Sequence, residues 1–324
     1  MITNEDLLTV QRKAKTLKAL VIGDAMLDIY INGIVERLSP EAPVPVLTHL
    51  NTETKAGGAA NVALNLASWG CDTSIIGLTG EDEQAERLRS ILNENNIATY
   101  FFAVPFRPTT QKTRVVAASH HLLRIDEESS EYLSGEVEER AQKFIEDHLD
   151  QNRPDLIILQ DYNKGFLTER IISAIIEFGR NHNVFIAVDP KEKNFMSFTG
   201  ANLFKPNLRE ASLAANKTLE LEDLAGLTAG WSDKMDFSTV AITLGSQGIF
   251  LQKGDDTLHI VPSREIDVVD VCGAGDAVIC GLALAQVSGL SLYKTGHLAN
   301  LAGAYVCSHS GVVTIKPTEL SDWI

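Results

Sequence analysis

The chain is poor in cysteine, poor in positive charge, and without a long apolar run. Its four cysteines, Cys71, Cys272, Cys280 and Cys307, form no CxxC pair in 324 residues. That excludes a disulfide scaffold and a thiolate metal site of the usual spacing, and leaves reduced, mostly buried thiols as the expectation. Lys and Arg number 28 against 43 Asp and Glu, a formal charge of -15. Such a surface repels nucleic-acid phosphates, so no nucleic-acid partner is expected, although a few local cations can still hold a small phosphorylated ligand. No stretch approaches the roughly 20 apolar residues of a membrane helix, and Met1 to Lys18 is polar and mixed in charge, unlike a signal segment. No membrane partner is expected, and the cytoplasm is the expected compartment. Repeats, low-complexity tracts and linker-like stretches are also missing.

What is there is a hydrophobic content of 44%, enough for a large core. Short runs rich in branched residues alternate with longer amphipathic segments, the rhythm of parallel strands joined by crossover helices. Strands are predicted at 19–22, 74–77, 156–159, 184–188 and 240–244, and helices at 59–69, 81–94, 134–149, 169–181 and 207–215. The fold class is therefore α/β, a doubly wound, mostly parallel sheet with helices on both faces. Two regions break the rhythm, about 29–50 with Pro40, Pro43 and Pro45, and about 100–126. They read as strands of a small accessory β-lid within a single domain over 1–324.

The segment Asp270 to Gly281, DVCGAGDAVICG, carries the most chemistry. Gly273, Ala274 and Gly275 let the backbone approach a ligand with amides outward, and the apolar run 277–287 supplies a helix behind them, which together make a seat for an anion. Asp276 lies in the same turn, where it can take a proton beside a neutralised phosphoryl group. A plain loop before a helix explains the small residues equally well. In open parallel sheets ligands bind beyond the carboxyl ends of the strands. Asp24, Asp28, Asp161, Lys164, Asp189, Lys191, Asn207 and Glu210 follow predicted strands there, acids suited to polyol hydroxyls and lysines to a phosphate. Each taken singly reads as a helix cap or a surface charge. Gly57-Gly58-Ala59-Ala60-Asn61 opens a helix in the same manner as the later segment, and Asn61 offers both a donor and an acceptor.

GGAAN, the Asn207-Leu208-Arg209-Glu210 run and Asp270 to Asp276, in this order and spacing, resemble the ribokinase (PfkB) family of carbohydrate kinases across essentially the whole chain. Within it, Arg37 to Val46 (RLSPEAPVPV), Leu122 to Asp126 and Asp161 to Gly165 are similar to the branch that phosphorylates D-glycero-D-manno-heptose 7-phosphate at its anomeric hydroxyl. The resemblance implies ATP and Mg²⁺ as cofactors, a monovalent cation being left open. It implies Asp276 as the base, with the amides of Gly273, Ala274 and Gly275 holding the phosphoryl group. Asp24, Asp28, Gly57, Gly58, Asn61, Arg124, Asp161, Lys164, Asp189 and Lys191 would line the sugar side, and Asn207 and Glu210 would reach Mg²⁺ through water. Thr243, Gly245, Gly248, Asn300 and Ala304, with Asn207, would take the nucleotide. Lids of the family pair, so a homodimer through the β-lid is expected, with Val44, Val46 and Leu47 suited to the contact.

Cys272 and Ala277 stand where the family favours threonine, and His120 and His121 where relatives of the heptose branch show glutamines. Many relatives continue into a nucleotidyltransferase domain, so a later activation step is expected of another polypeptide or of a part not in this sequence. Three readings stay open. The first is an ATP-dependent heptose 7-phosphate kinase serving ADP-heptose and lipopolysaccharide synthesis. The second is another kinase of fructose, ribose or adenosine type, and the third a non-catalytic nucleotide or sugar sensor. Only the first needs cations for a distal phosphate, for which Arg37, Arg114, Arg124 and Lys164 are candidates.

Overall fold

The computed structural model describes residues 1–117, 120–260, 262 and 265–324. In chain order the elements are α1 (Asn4–Ala14), β1 (Lys18–Gly23), β2 (Ala25–Leu38), β3 (Pro45–Gly58), α2 (Ala59–Ser68), β4 (Asp72–Thr79), α3 (Glu83–Glu94), β5 (Ala98–Ala103), β6 (Gln111–Ala117), β7 (His120–Glu127) and α4 (Gly135–Asn152). There follow β8 (Leu156–Gln160), α5 (Glu169–His182), β9 (Phe185–Asp189), β10 (Leu203–Phe204), α6 (Leu208–Ala214), α7 (Leu221–Met235), β11 (Thr239–Thr243), β12 (Ile249–Lys253), β13 (Asp256–Ile260), α8 (Ala274–Val287), α9 (Leu292–Cys307) and α10 (Pro317–Ser321).

Nine strands form one sheet in the order β13-β12-β11-β10-β9-β8-β1-β4-β5, parallel except for the antiparallel β12 and β13. Alternation of side chains along a strand divides the core between its two faces. Ala19 and Val21 of β1 face the layer of α1, α2, α8 and α9, while Leu20 and Ile22 face α4, α5 and α7. The chain builds outward from β1 through β4 and β5, then returns to its other side through β8 and β9. The sheet order therefore reverses between β1 and β8, and a crevice opens beyond their carboxyl ends. There the Asp24 amide donates to the Gln160 carbonyl at 3.0 Å.

A second sheet, β3-β2-β6-β7, is the lid. One expectation is corrected: Tyr100 to Ala103 belong to β5, which pairs parallel with β4 in the large sheet, and the lid's second contribution starts at Gln111. The first contribution is longer than expected, since β2 and β3 pair from Ala25↔Gly58 out to Leu38↔Pro45. Helix α1 and the antiparallel strands β12 and β13, the second of which is the sheet's edge, were not legible, the first because its stretch is polar and the last because Asp256 to Ile260 is mostly polar and exposed. Helix α8 is buried all round from Asp276 to Ala285, which is why its sequence is apolar without an amphipathic stripe.

Candidate active site

Asp276 is the third residue of α8 and is 3% exposed. Three side chains, from α2, β8 and the turn after β8, hold it. Asn61 of α2 donates to Oδ2 at 2.7 Å, and Oδ1 accepts from Gln160 Nε2 at 3.1 Å and from the Tyr162 hydroxyl at 3.0 Å. Asn61 cannot easily turn, because its Oδ1 accepts from Asn65 at 3.2 Å. Burial, reinforced by the charge of Asp189, pushes the Asp276 carboxyl up to about 7 against the pull of Asn61, Tyr162 and Lys205. A carboxylate poised near neutrality suits general base work. Gly273 caps α8 with φ of 81°, and a Cβ on it would stand 2.9 Å from Asn61 Nδ2, so a side chain there would be strained and would push Asn61 off Asp276.

The expected trio of amides is altered by one member. The Ala274 N–H turns back to the Val271 carbonyl at 3.3 Å. Gly273, Gly275 and Asp276 have backbone N–H groups with no acceptor among the described residues, as the first turn of a helix leaves them. Asp270 pins this loop, accepting from the amides of Cys272 and Gly311, each at 3.0 Å. Burial opposes its ionisation, but those bonds outweigh burial and hold its carboxyl below the ordinary value. Burial and the bond to Asp270 push the Cys272 thiol up to about 11, so it stays protonated.

Asp24 and Asp28 diverge in role. Asp24 Oδ2 accepts from the amides of Tyr162 at 2.8 Å and Lys164 at 3.0 Å, while its buried Oδ1 has no partner among the described residues. Burial raises its pKa against those two bonds. Asp28 pairs with Arg114, both buried, and a Cβ on Gly57 would fall 2.1 Å from Asp28 Oδ2, which explains the glycine. Gly58 is the N-cap of α2 at φ of 56°. Asp161 accepts from the Asn163 amide at 2.7 Å and from Asn194 at 2.9 Å, and burial beside Asp24 pushes it up to about 7. It anchors the turn after β8, whereas its neighbours Gln160 and Tyr162 are the residues that touch Asp276.

Asp189 is held by Gln160 at 3.1 Å and by Lys205 at 3.0 Å. Lys191 pairs with Glu210 and lies 5.3 Å over the Tyr162 ring. Burial lowers the pKa of Lys191, but Asp189 and Glu210 outweigh that and raise it. Asn207 and Glu210 form a reciprocal cap of α6, each bond 2.8 Å. The cap reading of these two residues is thus realised. Their oxygens keep lone pairs that water can bridge to a cation, and no group of three metal-ligating side chains exists among the described residues.

Two of the nucleotide-side residues serve the protein's own structure. Asn300 donates to the Ile260 carbonyl at 2.9 Å, and a Cβ on Gly248 would meet that same carbonyl at 2.1 Å. Gly245 opens the turn between β11 and β12 with nothing within 4 Å of a Cβ, Thr243 bridges to Asn207, and Ala304 lies half-buried on α9. Lys164, in the loop after β8, and Lys112 of the lid grip the two oxygens of Glu128 at 2.7 and 3.0 Å, and on the lid Arg124 pairs with Asp126 at 2.9 Å. Arg37 lies nine residues beyond Asp28 on β2, about 30 Å along an extended strand, too far to share a ligand with it in one chain.

Gln160, Tyr162, Lys205, Lys112 and Glu128 escaped the sequence reading. The first three flank strand ends. Searching there for acids passed over Gln160 and Tyr162, and β10 is too short to mark Lys205 as a strand-end residue.

A buried acid at a helix mouth, in a crevice at the switch point of a parallel sheet and beneath a β-lid, defines a phosphotransferase acting on a sugar hydroxyl. The model of the pfkB family carbohydrate kinases matches residues 16–319, and the chain belongs to that family. It is 39% identical over 303 residues to the bifunctional protein HldE of Koribacter versatilis and 35% over 314 residues to that of Trichlorobacter lovleyi. Those alignments cover 93% and 95% of this chain but 62% and 63% of the relatives, so the chain spans less than two thirds of their length. Among solved structures, Escherichia coli phosphofructokinase-2 with potassium superposes with a TM-score of 0.78 at 17% identity, covering 95% of this chain and 98% of that one. Arabidopsis thaliana ribokinase with ribose and ATP gives 0.72 at 19% identity, covering 94% and 98%. The ribokinase-like fold is thereby established. No described helix is long and apolar enough to cross a membrane.

Proposed function

We propose that the protein transfers the γ-phosphoryl group of ATP to the anomeric hydroxyl of D-glycero-D-manno-heptose 7-phosphate. The observation that carries the chemistry is Asp276, buried, held by three donors and set beside free amides of α8. Asp276 takes the proton of the attacking hydroxyl, and the amides of Gly273 and Gly275 receive the phosphoryl oxygens. One such donor is worth roughly 3 kcal/mol of activation free energy. Asp24, with an unpartnered oxygen, and Asn61 face the sugar. Mg²⁺ supplies charge neutralisation on the nucleotide phosphates, and Asn207 and Glu210 would reach it through water.

The sugar's identity is supported by the relatives named HldE and by the cations where the lid meets the loop after β8. Lys112 and Lys164 already hold a carboxylate at two points, the geometry a distal phosphate would take over, joined by Arg124. An ATP-consumption assay over a panel of sugars with and without that phosphate tests the reading. The heptose 7-phosphate is expected to turn over fastest, and equal rates for unphosphorylated hexoses or nucleosides would favour the alternative kinases. Two lids are proposed to pair in a homodimer, since Leu38, Leu123 and Ile125 are exposed apolar residues on this sheet and Val44 is exposed in the turn before β3, while Val46 and Leu47 are half-buried. Sedimentation at micromolar concentration is expected to give a dimer, and a monomer alone would exclude it.

A further inference from the structure

The most buried cation near Asp276 has no part in the reading above. Lys205, between β10 and α6, is 3% exposed and reaches Asp189 Oδ1 at 3.0 Å. The other oxygen of Asp189 accepts from Gln160 Nε2 at 3.1 Å, and the same nitrogen donates to Asp276 Oδ1 at 3.1 Å. The chain Lys205–Asp189–Gln160–Asp276 is therefore continuous, and each member is 5% exposed or less. It also sits at the mouth of α8: a Cβ on Gly275 would lie 3.8 Å from Asp189 Oδ2 and 3.9 Å from Lys205 Nζ. An isolated buried lysine is costly, and one tied to the base through a single shared amide has a use beyond packing.

We propose that Lys205 and Asp189 are positioning residues for Asp276, a charge pair that fixes the Gln160 amide on the base and sets the pH above which phosphoryl transfer runs. This rests on Asp276 being the base. The charged and polar groups around Asp276 are Asn61 from α2, Gln160 from β8, Tyr162 from the turn after it, Asp189 from β9, Lys205 before α6 and, one turn along α8, Cys280, whose thiol burial keeps protonated. Behind Tyr162 lies the Lys191–Glu210 pair, which carries no net charge. Asp189 disfavours the carboxylate form of Asp276, and Lys205 favours it. Their effects on Asp276 oppose each other, and removing either one alone leaves a lone charge in a medium that screens it poorly.

The test is the pH dependence of kcat/KM for Lys205→Met, Asp189→Asn, the double variant and Lys205→Arg, with the best substrate of the panel. In Lys205→Met the acid limb is expected to move up by on the order of one pH unit, a tenfold change in proton affinity. In Asp189→Asn it moves down, in the double variant it falls between the two single variants, and in Lys205→Arg it stays at the wild-type position. A limb fixed in all four proteins, with rates lowered equally at every pH, would mean a purely structural role and overturn the proposal. Should Lys205→Met fail to fold, Asp189→Asn and the double variant carry the same comparison. Asp276→Asn is run alongside. Its retention of full activity would remove the base itself, whereas its inactivity with unmoved limbs elsewhere would remove only this inference.

Discussion

Replacing Asp276 with asparagine tests the burial of the acid and its chemistry in one protein. The carboxyl sits at about 7 instead of the usual 3.8, chiefly because burial penalises its charge. A folded-state pKa above the unfolded one gives stability that is present at low pH and is lost as pH rises toward 7. Between pH 5 and pH 8 the wild type should lose about 2.7 kcal/mol from this group alone, two pH units below the folded pKa at 1.36 kcal/mol each. The asparagine variant cannot ionise at this position and skips that loss. It carries a fixed cost, because the new amide must face either the Asn61 donor or those of Gln160 and Tyr162, a mismatch of about 1–3 kcal/mol. That mismatch does not depend on pH, so the difference between the two proteins isolates the charge. Urea denaturation of both at pH 5 and pH 8 should show their stability gap shifting by about 2–3 kcal/mol in favour of the variant. Phosphoryl transfer should fall by roughly 10²- to 10⁴-fold. A gap that does not change with pH would refute the claim that Asp276 titrates from a buried position, and unchanged transfer would refute its role as base.

Gly273→Ala should cost about 1–3 kcal/mol in strain and displace Asn61 from Asp276, so denaturation and turnover should worsen together. Stability loss with full activity would separate the cap from the base. Arg114→Met strands the buried Asp28 carboxylate and should destabilise by about 3–5 kcal/mol, most of it recovered when Asp28→Leu is added. If the double variant is no better than the single one, the pair is not an isolated charge couple.

The doubly wound α/β scaffold was readable because its signals are local. Buried parallel strands are continuous apolar runs, the intervening helices are amphipathic, and Gly273, Ala274 and Gly275 are small where α8 starts beside an acid. Element boundaries shifted by a few residues where caps decide them, as at Asp82, which accepts from the Ala85 amide and starts α3 two residues late. The reading of 100–126 as one lid segment failed because an edge strand of either sheet has the same alternation. Only the partner strand decides which sheet it joins.

Composition, periodicity and the three motifs were enough to specify the α/β class and the acid at the mouth of α8. Tertiary structure alone decided what each polar residue near it does. Asp161 became an anchor while Gln160 and Tyr162 met the base, Arg114 was committed to Asp28, and Lys205 entered the site from a two-residue strand. The reason is physical: a carboxylate's proton affinity and a lysine's availability depend on burial and on partners that lie from tens of residues to more than two hundred away along the chain, as Asn61 and Asp276 do. Spacing along the chain does not encode such distances, and the crossing of β1, β8, β9 and α8 creates them.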